Sequence, residues 1–476
     1  MAEGQLMSNI LTTIIEHKQQ QNLQQAEQYP LASYQRQLQP SERSLYAALN
    51  KPDAGFILEC KKASPSKGLL RKNFDPVALA RSFQPYAAAI SVLTEPEFFQ
   101  GCYEYLSAVS AAVNIPVLCK DFFVEPEQVY RARLFGADAV LLMLSVLSDE
   151  QYRALATVAE SLQLDVLTEV ANEAEMRRAA ALGAKIIGIN HRDLTDLSIN
   201  PRRSAELAPL APSDALLVAE SGFDNHAAIR QTAPYVDGFL VGSALSAASN
   251  IEQAIKALLF GKHKVCGITR EADAMVAAAA GAYYAGLIFV SHSSRCVDIE
   301  RANAIIAAAP QLHWVGVFAD QAVAEVCRHA HSLGLAAIQL HGHEDIDYVS
   351  ELRKQLAQKG LAGVEIWKAL DASAIDRLPD LRADKYLLDN GRGGTGQSFD
   401  WAQLQQFGDP QALILAGGIG AENVTQALNT GVSSVDMNSA LEFRPGQKHA
   451  AKIRLAFQQI RQYGRDSKAV PLQEVS

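Results

Sequence analysis

Short apolar runs of strand length recur along this chain, and their number limits what it can fold into. The first set reads FILECKK, AAISVLTE, VLCKDFF, AVLLMLS, DVLTEV, IIGINHR, LLVAES and GFLVGS. After a helical segment ending near LLFGKH the count begins again with KVCGI, AGLIFV, HWVGVFA, AAIQLHG, EIWKAL, KYLLDN, LILAGG and SVDMNSA. Ala-, Leu- and charge-rich stretches of helical period separate the runs. Strands alternating with helices make parallel βαβ units with right-handed crossovers, and eight in succession is the number that closes a barrel. The prediction is two tandem (βα)8 TIM barrels joined near residues 256–262, for which 476 residues are sufficient. An open doubly wound sheet would normally carry a GxGxxG turn after its first strand, and this sequence has none there.

Residues 1 to about 50 are polar and glutamine-rich around QQQNLQQ, yet Ile10, Leu11, Ile14 and Ile15 sit at helical spacing. One or two amphipathic helices are expected to precede the first barrel. Residues after about 465 are expected to form a tail. The formal net charge is −9 with dispersed lysines and arginines, which argues against a nucleic-acid or anionic-membrane partner. Six cysteines without CxxC spacing fit a reducing compartment better than a disulfide scaffold or a zinc site. The start of the chain lacks a basic segment followed by an apolar core, and no apolar run is long enough to span a bilayer, so a cytoplasmic location is expected.

Strands buried inside a barrel should be almost wholly apolar, so charged groups at their C-terminal ends need a reason, and catalysis is the usual one. In the first half strand 1 ends in Glu59 and Lys61, strand 3 in Lys120 and Asp121, and strand 5 in Glu169. Strand 6 ends in Asn190 and Arg192, and strand 7 in Glu220 and Ser221. Any one of these alone could be a salt bridge closing the barrel end; five strands in agreement point to a site. ESG and VGSA place Gly222, Gly242 and Ser243 where backbone N–H groups can approach a phosphate.

The second half repeats the pattern with different chemistry. Cys266 ends strand 1, Arg295 lies in the loop after strand 2, His341 ends strand 4 and Asp389 ends strand 6. The GRGGTG loop with Gly394 and Gly396, AGGIG with Gly417 and Gly418, and NSA with Asn438 and Ser439 together suggest a second phosphate cradle. A lone buried cysteine is more often a small core hydrophobe, and Cys60, Cys102, Cys119, Cys296 and Cys327 are read that way.

ECKKASPSKG, LCKDFF, LTEV, GINHRDL, AESG and VGSA, in this order, closely resemble indole-3-glycerol-phosphate synthase over residues 1–256. KVCGIT, GLIFV followed by SSR, VGVF, QLHG, LLDN with GRGGTG, LAGGI and VDMNSALE resemble phosphoribosylanthranilate isomerase, within the second domain, residues 257–476. The fusion, synthase first, looks like the bifunctional enzymes of enteric and related bacteria. Two positions depart from the isomerase pattern: Ser294 stands where proline is common before the arginine, and Asn438 where serine is frequent.

The resemblance implies a pair of reactions that share an intermediate. The C-terminal barrel would open the ribose of phosphoribosylanthranilate and move a proton from C2′, giving the carboxyphenylamino-deoxyribulose phosphate. Asp389 matches the general acid and Cys266 the base, Arg295 is assigned the anthranilate carboxylate, and His341 lines the pocket. The N-terminal barrel would close the pyrrole ring with loss of carbon dioxide and water. Lys120 is the first choice as general acid, Lys61 binds the anionic substrate, and Glu169 and Glu59 are candidate bases. Asn190, Arg192, Glu220 and Ser221 match positioning residues, Ser64 and Phe122 substrate contacts, and Gly222, Gly242 and Ser243 the phosphate loop. Neither reaction changes oxidation state, so no cofactor and no metal are expected, and the expected partners are phosphorylated anthranilate compounds met by a monomer. Two rivals compete: an aldolase-like barrel using Lys61 or Lys120 as a Schiff-base nucleophile, and a phosphate-sugar binding or scaffold protein with an inactive site.

Overall fold

The computed structural model describes residues 10–193, 197–389 and 401–463, apart from the side chains at 402 and 405. Two closed eight-stranded barrels account for its sheets, together with two small hairpins. The first barrel comprises β1 (Gly55–Cys60), β2 (Ala89–Leu93), β3 (Val117–Lys120), β4 (Ala139–Met143), β5 (Asp165–Val170), β6 (Ile186–Asn190), β7 (Leu216–Glu220) and β8 (Gly238–Val241). Each strand pairs in parallel with its sequence neighbours, and β1 pairs with β8 to close the ring. β1, β2, β4, β6, β7 and β8 are buried at every residue, as expected of strands with helices outside and packed side chains inside.

Ile57, Leu118, Leu141, Leu167, Val218 and Leu240 belong to one interior cluster with Leu45 and Leu49 of the short helix Leu45–Leu49. That helix plugs the N-terminal mouth of the barrel. Gly55 and Gly238 open β1 and β8, and a Cβ on either would meet Leu49 Cδ2 at 2.5 or 3.1 Å. The C-terminal ends of the strands are thereby left as the open face.

The expected N-terminal helix is α1 (Ile10–Gln28). Its buried residues Ile14, Lys18 and Asn22 fall at intervals of four, a single stripe on one side of the helix. A lysine in that stripe needs a partner, and Lys18 Nζ lies 2.7 Å from Asp121 Oδ1 with both side chains almost wholly buried. The pair fastens α1 to the loop after β3. Asp121 also accepts from Thr94 Oγ1 at 2.7 Å and from the Phe122 amide at 2.7 Å, so this end-of-strand carboxylate belongs to the scaffold.

The chain divides into two compact units after Ile255, within the helix Ile251–Phe260. The second unit contains β9 (Lys264–Val265), β10 (Tyr284–Ile288), β11 (His313–Phe318), β12 (Ala337–Leu340), β13 (Glu365–Asp371), β14 (Lys385–Asp389), β15 (Leu413–Leu415) and β16 (Ser434–Met437), closed by parallel pairing of β9 with β16. Tyr284, Val315, Trp367, Leu387 and Ile414 fill its interior. The Tyr284 and Trp367 rings meet edge-on at 4.9 Å, and Lys385 Nζ lies 5.4 Å from the Trp367 centroid. The final helix Ala450–Gln462 buries Ile453, Ala456, Phe457 and Ile460 at helical spacing.

Candidate active sites

Strand alternation decides which residues of the first barrel meet. Glu59 and Lys61 are two apart and share a face; their carboxylate and ammonium are 2.7 Å apart, Oε1 to Nζ. Lys120 at the end of β3 bridges Glu59 Oε2 at 3.3 Å and Glu220 Oε2 at 3.2 Å. Glu169 at the end of β5 accepts from Asn190 Nδ2 at 3.1 Å. All of the expected residues of this half except Glu220 line one cavity of about 340 Å³, including Ser64, Phe122, Arg192, Ser221, Gly222, Gly242 and Ser243. Glu220 reaches it through Lys120.

The carboxylates are held in different states. Burial opposes ionisation of Glu59, but Lys120 and Lys61 outweigh it and bring its pKa down to about 2. Burial and the nearby Glu220 push Glu169 up to about 8 against the pull of Lys120. Burial disfavours the Lys120 ammonium, yet Glu59, Glu220 and Glu169 hold its pKa above the ordinary lysine range. A Schiff-base nucleophile requires the reverse shift, a depressed lysine, so the structure argues against the aldolase reading of Lys120.

Two glycines make this crowding sterically possible. A Cβ on Gly242 would run into Glu59 Oε1, and one on Gly188 would run into Glu220 Oε1. Gly242 therefore serves the carboxylate below it as well as any phosphate above, and Gly188 is a requirement that reading strand ends did not find. Ser221 and Gly222 have φ of 67° and 85°, a backbone turn that aims the end of β7. Ser243 opens the short helix Ser243–Ser246, whose C-terminal carbonyl at Ser246 accepts from Arg71 Nε at 2.9 Å. Arg192 donates from Nη1 to the Leu197 carbonyl at 2.8 Å.

The apolar wall of the cavity includes Phe99 as well as the expected Phe122; their rings are 6.1 Å apart and Lys61 Nζ sits 5.9 Å from the Phe99 centroid. Ile10, Leu11 and Ile14 of α1 complete it. Phe99 stands in an irregular loop, where periodicity gives no signal. Its backbone is fixed by Glu95, whose buried carboxylate accepts from the amides of Glu97, Phe98 and Phe99 at 3.0, 2.7 and 3.0 Å.

In the second barrel Cys266 follows β9 directly and is 4% exposed. Lys264, two residues earlier on the same face, is fully buried and donates to Asp436 Oδ2 at 2.7 Å and Gln339 Oε1 at 2.9 Å. Burial raises the Cys266 thiol, with the Lys264 ammonium the leading influence in the other direction. His341 follows β12; burial lowers its pKa while Asp389, at the end of β14, works the other way. Its imidazole is therefore held toward the neutral form.

Arg295 does not extend a free fork. Its Nε and Nη2 donate to Glu442 Oε1 and Oε2 at 2.9 and 2.7 Å, and Lys448 Nζ reaches the same Oε1 at 2.9 Å. Lys448 also donates to Asn438 Oδ1 at 2.7 Å, so the Asn438 side chain serves this network. Gly417 and Gly418 adopt φ of 92° and 65°, and Ser439 begins the 3₁₀ turn Ser439–Leu441. Gly394 and Gly396 lie outside the described residues, as does everything beyond 463. Glu442, Lys448, Gln339 and Asp436 are additions to the site residues read from sequence.

Two barrels, each presenting acids and bases at the carboxyl ends of its strands, define a tandem (βα)8 enzyme with two active sites. The chain belongs to the indole-3-glycerol phosphate synthase family, matched over residues 11–258, and to the N-(5′-phosphoribosyl)anthranilate isomerase family, matched over residues 263–459; it is a bifunctional enzyme of tryptophan biosynthesis. It is 48% identical to the tryptophan biosynthesis protein TrpCF of Salmonella typhi, over 96% of this chain and 100% of that protein. The protein of the same name from Vibrio cholerae is 49% identical over 96% of this chain and 97% of its own length, and that from Yersinia pestis 48% over 92% and 91%. The scaffold reading is not favoured, and phosphorylated substrates follow from both families. Among the described residues no helix is long and apolar enough to cross a membrane.

Proposed function

We propose that the residues divide the two reactions as follows. In the first barrel Lys120 is the general acid of ring closure, Glu169 carries the proton in the later steps, and Glu59 stays ionised to hold Lys61 and Lys120 in place. The supporting observation is the contrast between carboxyls in one cavity: Glu59 at about 2 has little affinity for a proton, whereas Glu169 at about 8 can take one up or release it near neutrality. Lys120 remains an ammonium across that range and offers both a proton and a charge to the substrate carboxylate. Lys61 faces the same space, and Phe99 and Phe122 provide an apolar bed for an aromatic ring. Gly222, Gly242 and Ser243 receive the phosphate.

In the second barrel Asp389 protonates the ribose ring oxygen as the ring opens, and the Cys266 sulfur takes the proton from C2′. Neutral His341 borders this space, and Arg295, steadied by Glu442, meets the anthranilate carboxylate. Gly394, Gly396, Gly417, Gly418 and Ser439 form the phosphate end. The six cysteines, which lack the spacing of a disulfide scaffold, suit a reducing cytoplasm, and the chain acts as a monomer.

The test is to supply carboxyphenylamino-deoxyribulose phosphate directly to the wild type and to Lys120→Met. The variant should lose about 10²- to 10⁴-fold in kcat, with KM changed less. An unchanged kcat would remove Lys120 from the acid role.

A further inference from the structure

The isomerase assignment leaves a physical difficulty: a buried thiol is a poor base. Cys266 is 4% exposed, and burial alone drives it toward the protonated form, in which its sulfur cannot take a proton from carbon. The structure puts one more charged group against that sulfur. Lys264 and Cys266 flank Val265 and so project to the same side of the strand, into the barrel. The Lys264 ammonium lies near enough to Cys266 to favour its thiolate. Gly286 on the neighbouring β10 marks how close the two approach: a Cβ placed there would lie 2.7 Å from Cys266 Sγ and 3.1 Å from Lys264 Nζ. Any side chain at Gly286 would crowd both groups.

From this juxtaposition we propose that Lys264 is a positioning residue for the isomerase base, its fixed ammonium stabilising the Cys266 thiolate so that the sulfur can accept the C2′ proton. Two partners keep the ammonium in place: Asp436 Oδ2 on β16 at 2.7 Å and Gln339 Oε1 on β12 at 2.9 Å. The lysine is fully buried, so its charge acts on the sulfur through protein and not through water. Asp436 keeps Lys264 protonated, and Gln339 orients it without adding charge. The remaining charged groups near the sulfur are Lys448 and Arg295, which favour the thiolate, and Asp436, which opposes it; His341 senses both Lys264 and Asp389. Among these cations Lys264 has the strongest hold on Cys266. When the thiolate takes the C2′ proton it becomes a neutral thiol, and the Lys264–Asp436 pair remains balanced with no further proton moved.

This inference rests on Cys266 being the base, and the experiment separates the two ideas. The full chain is alkylated with iodoacetamide across a pH series, and modification of the Cys266 peptide is followed by mass spectrometry, which resolves it from the five other thiols. Lys264→Met should move the midpoint of Cys266 modification upward by about one pH unit or more, a roughly tenfold loss of thiolate at fixed pH. The acid limb of isomerase kcat/KM should move with it. Lys264→Arg, which keeps the charge, should lie closer to the wild type in both. An unmoved midpoint in Lys264→Met that still melts cooperatively overturns the role of Lys264 and leaves the base assignment standing. Retained isomerase activity in Cys266→Ala removes the base assignment, whatever the midpoint does. If Lys264→Met does not fold, Lys264→Gln is measured instead; the midpoint should again rise by about one pH unit, and no change counts against the proposal.

Discussion

The two barrels share a scaffold and a substrate lineage, yet their open faces surround different reacting groups with charge. The first links Glu59, Lys61, Lys120 and Glu220 in a chain of contacts, with Glu169 held by Asn190 in the same cavity. The second buries a thiol beside the Lys264–Asp436 ion pair, with Arg295 and Lys448 paired to Glu442 nearby. The first site is built around a cation that can protonate and polarise its substrate; the second is built around a sulfur that must lose its proton. One architecture serves both because the strand ends can be re-equipped without altering the strands beneath.

The sharpest way to break that contrast is to remove the sulfur. Cys266→Ala should lower isomerase turnover by about 10²- to 10⁴-fold while leaving turnover of the ribulose intermediate by the other barrel unchanged. An equal fall in both activities would mean that the two sites are not chemically separate.

Glu169 provides the next test. With a folded pKa near 8, above the ordinary carboxylate value, this residue binds its proton more tightly in the folded state. Its stabilising contribution is complete below the ordinary carboxylate range and is lost as pH rises through about 8. Melting of the first barrel should therefore weaken between about pH 5 and pH 9 in the wild type and be flatter in Glu169→Gln. Synthase turnover in that variant should fall by about 10²-fold. A melting profile in the variant as steep as that of the wild type would place the titration elsewhere.

Gly242→Ala should be milder, forcing a methyl group against the Glu59 carboxylate at a cost of about 1–3 kcal/mol and slowing the synthase alone. The smallest effect expected is that of Arg295→Lys, which keeps a charge but gives up the paired bonds to Glu442. The KM for phosphoribosylanthranilate should rise several-fold with kcat nearly constant. A fall in kcat alone would assign Arg295 to the chemical step.

Much of this was legible in the sequence, and what was not has a common cause. The sixteen strand-length runs correspond to the sixteen barrel strands because burial on both faces leaves short apolar runs in the sequence. Glu59, Lys61, Lys120 and Glu169 stood out as charges where apolar residues were expected. Asp121 stood out equally and belongs to the scaffold, because its carboxylate is taken up by Lys18 of a helix about a hundred residues earlier, by Thr94 and by the Phe122 amide. The Arg295–Glu442 and Lys264–Asp436 pairs are likewise closed over long separations. Lys264 could have been found by one further step, since a charged residue two positions before Cys266 on a buried strand must share its face. Phe99 offered no such handle, being set by a loop shaped around Glu95.

The most direct measurement of the central claim, two independent sites working in series, is complementation between inactivated chains. Cys266→Ala and Lys120→Ala are each given phosphoribosylanthranilate, separately and mixed in equal amounts, while anthranilate-type fluorescence and indole-3-glycerol phosphate are followed. The account predicts that Cys266→Ala leaves the substrate unchanged, that Lys120→Ala accumulates the ribulose intermediate, and that the mixture makes the indole product. A mixture that yields no indole product, or a Lys120→Ala chain that accumulates no intermediate, would contradict it.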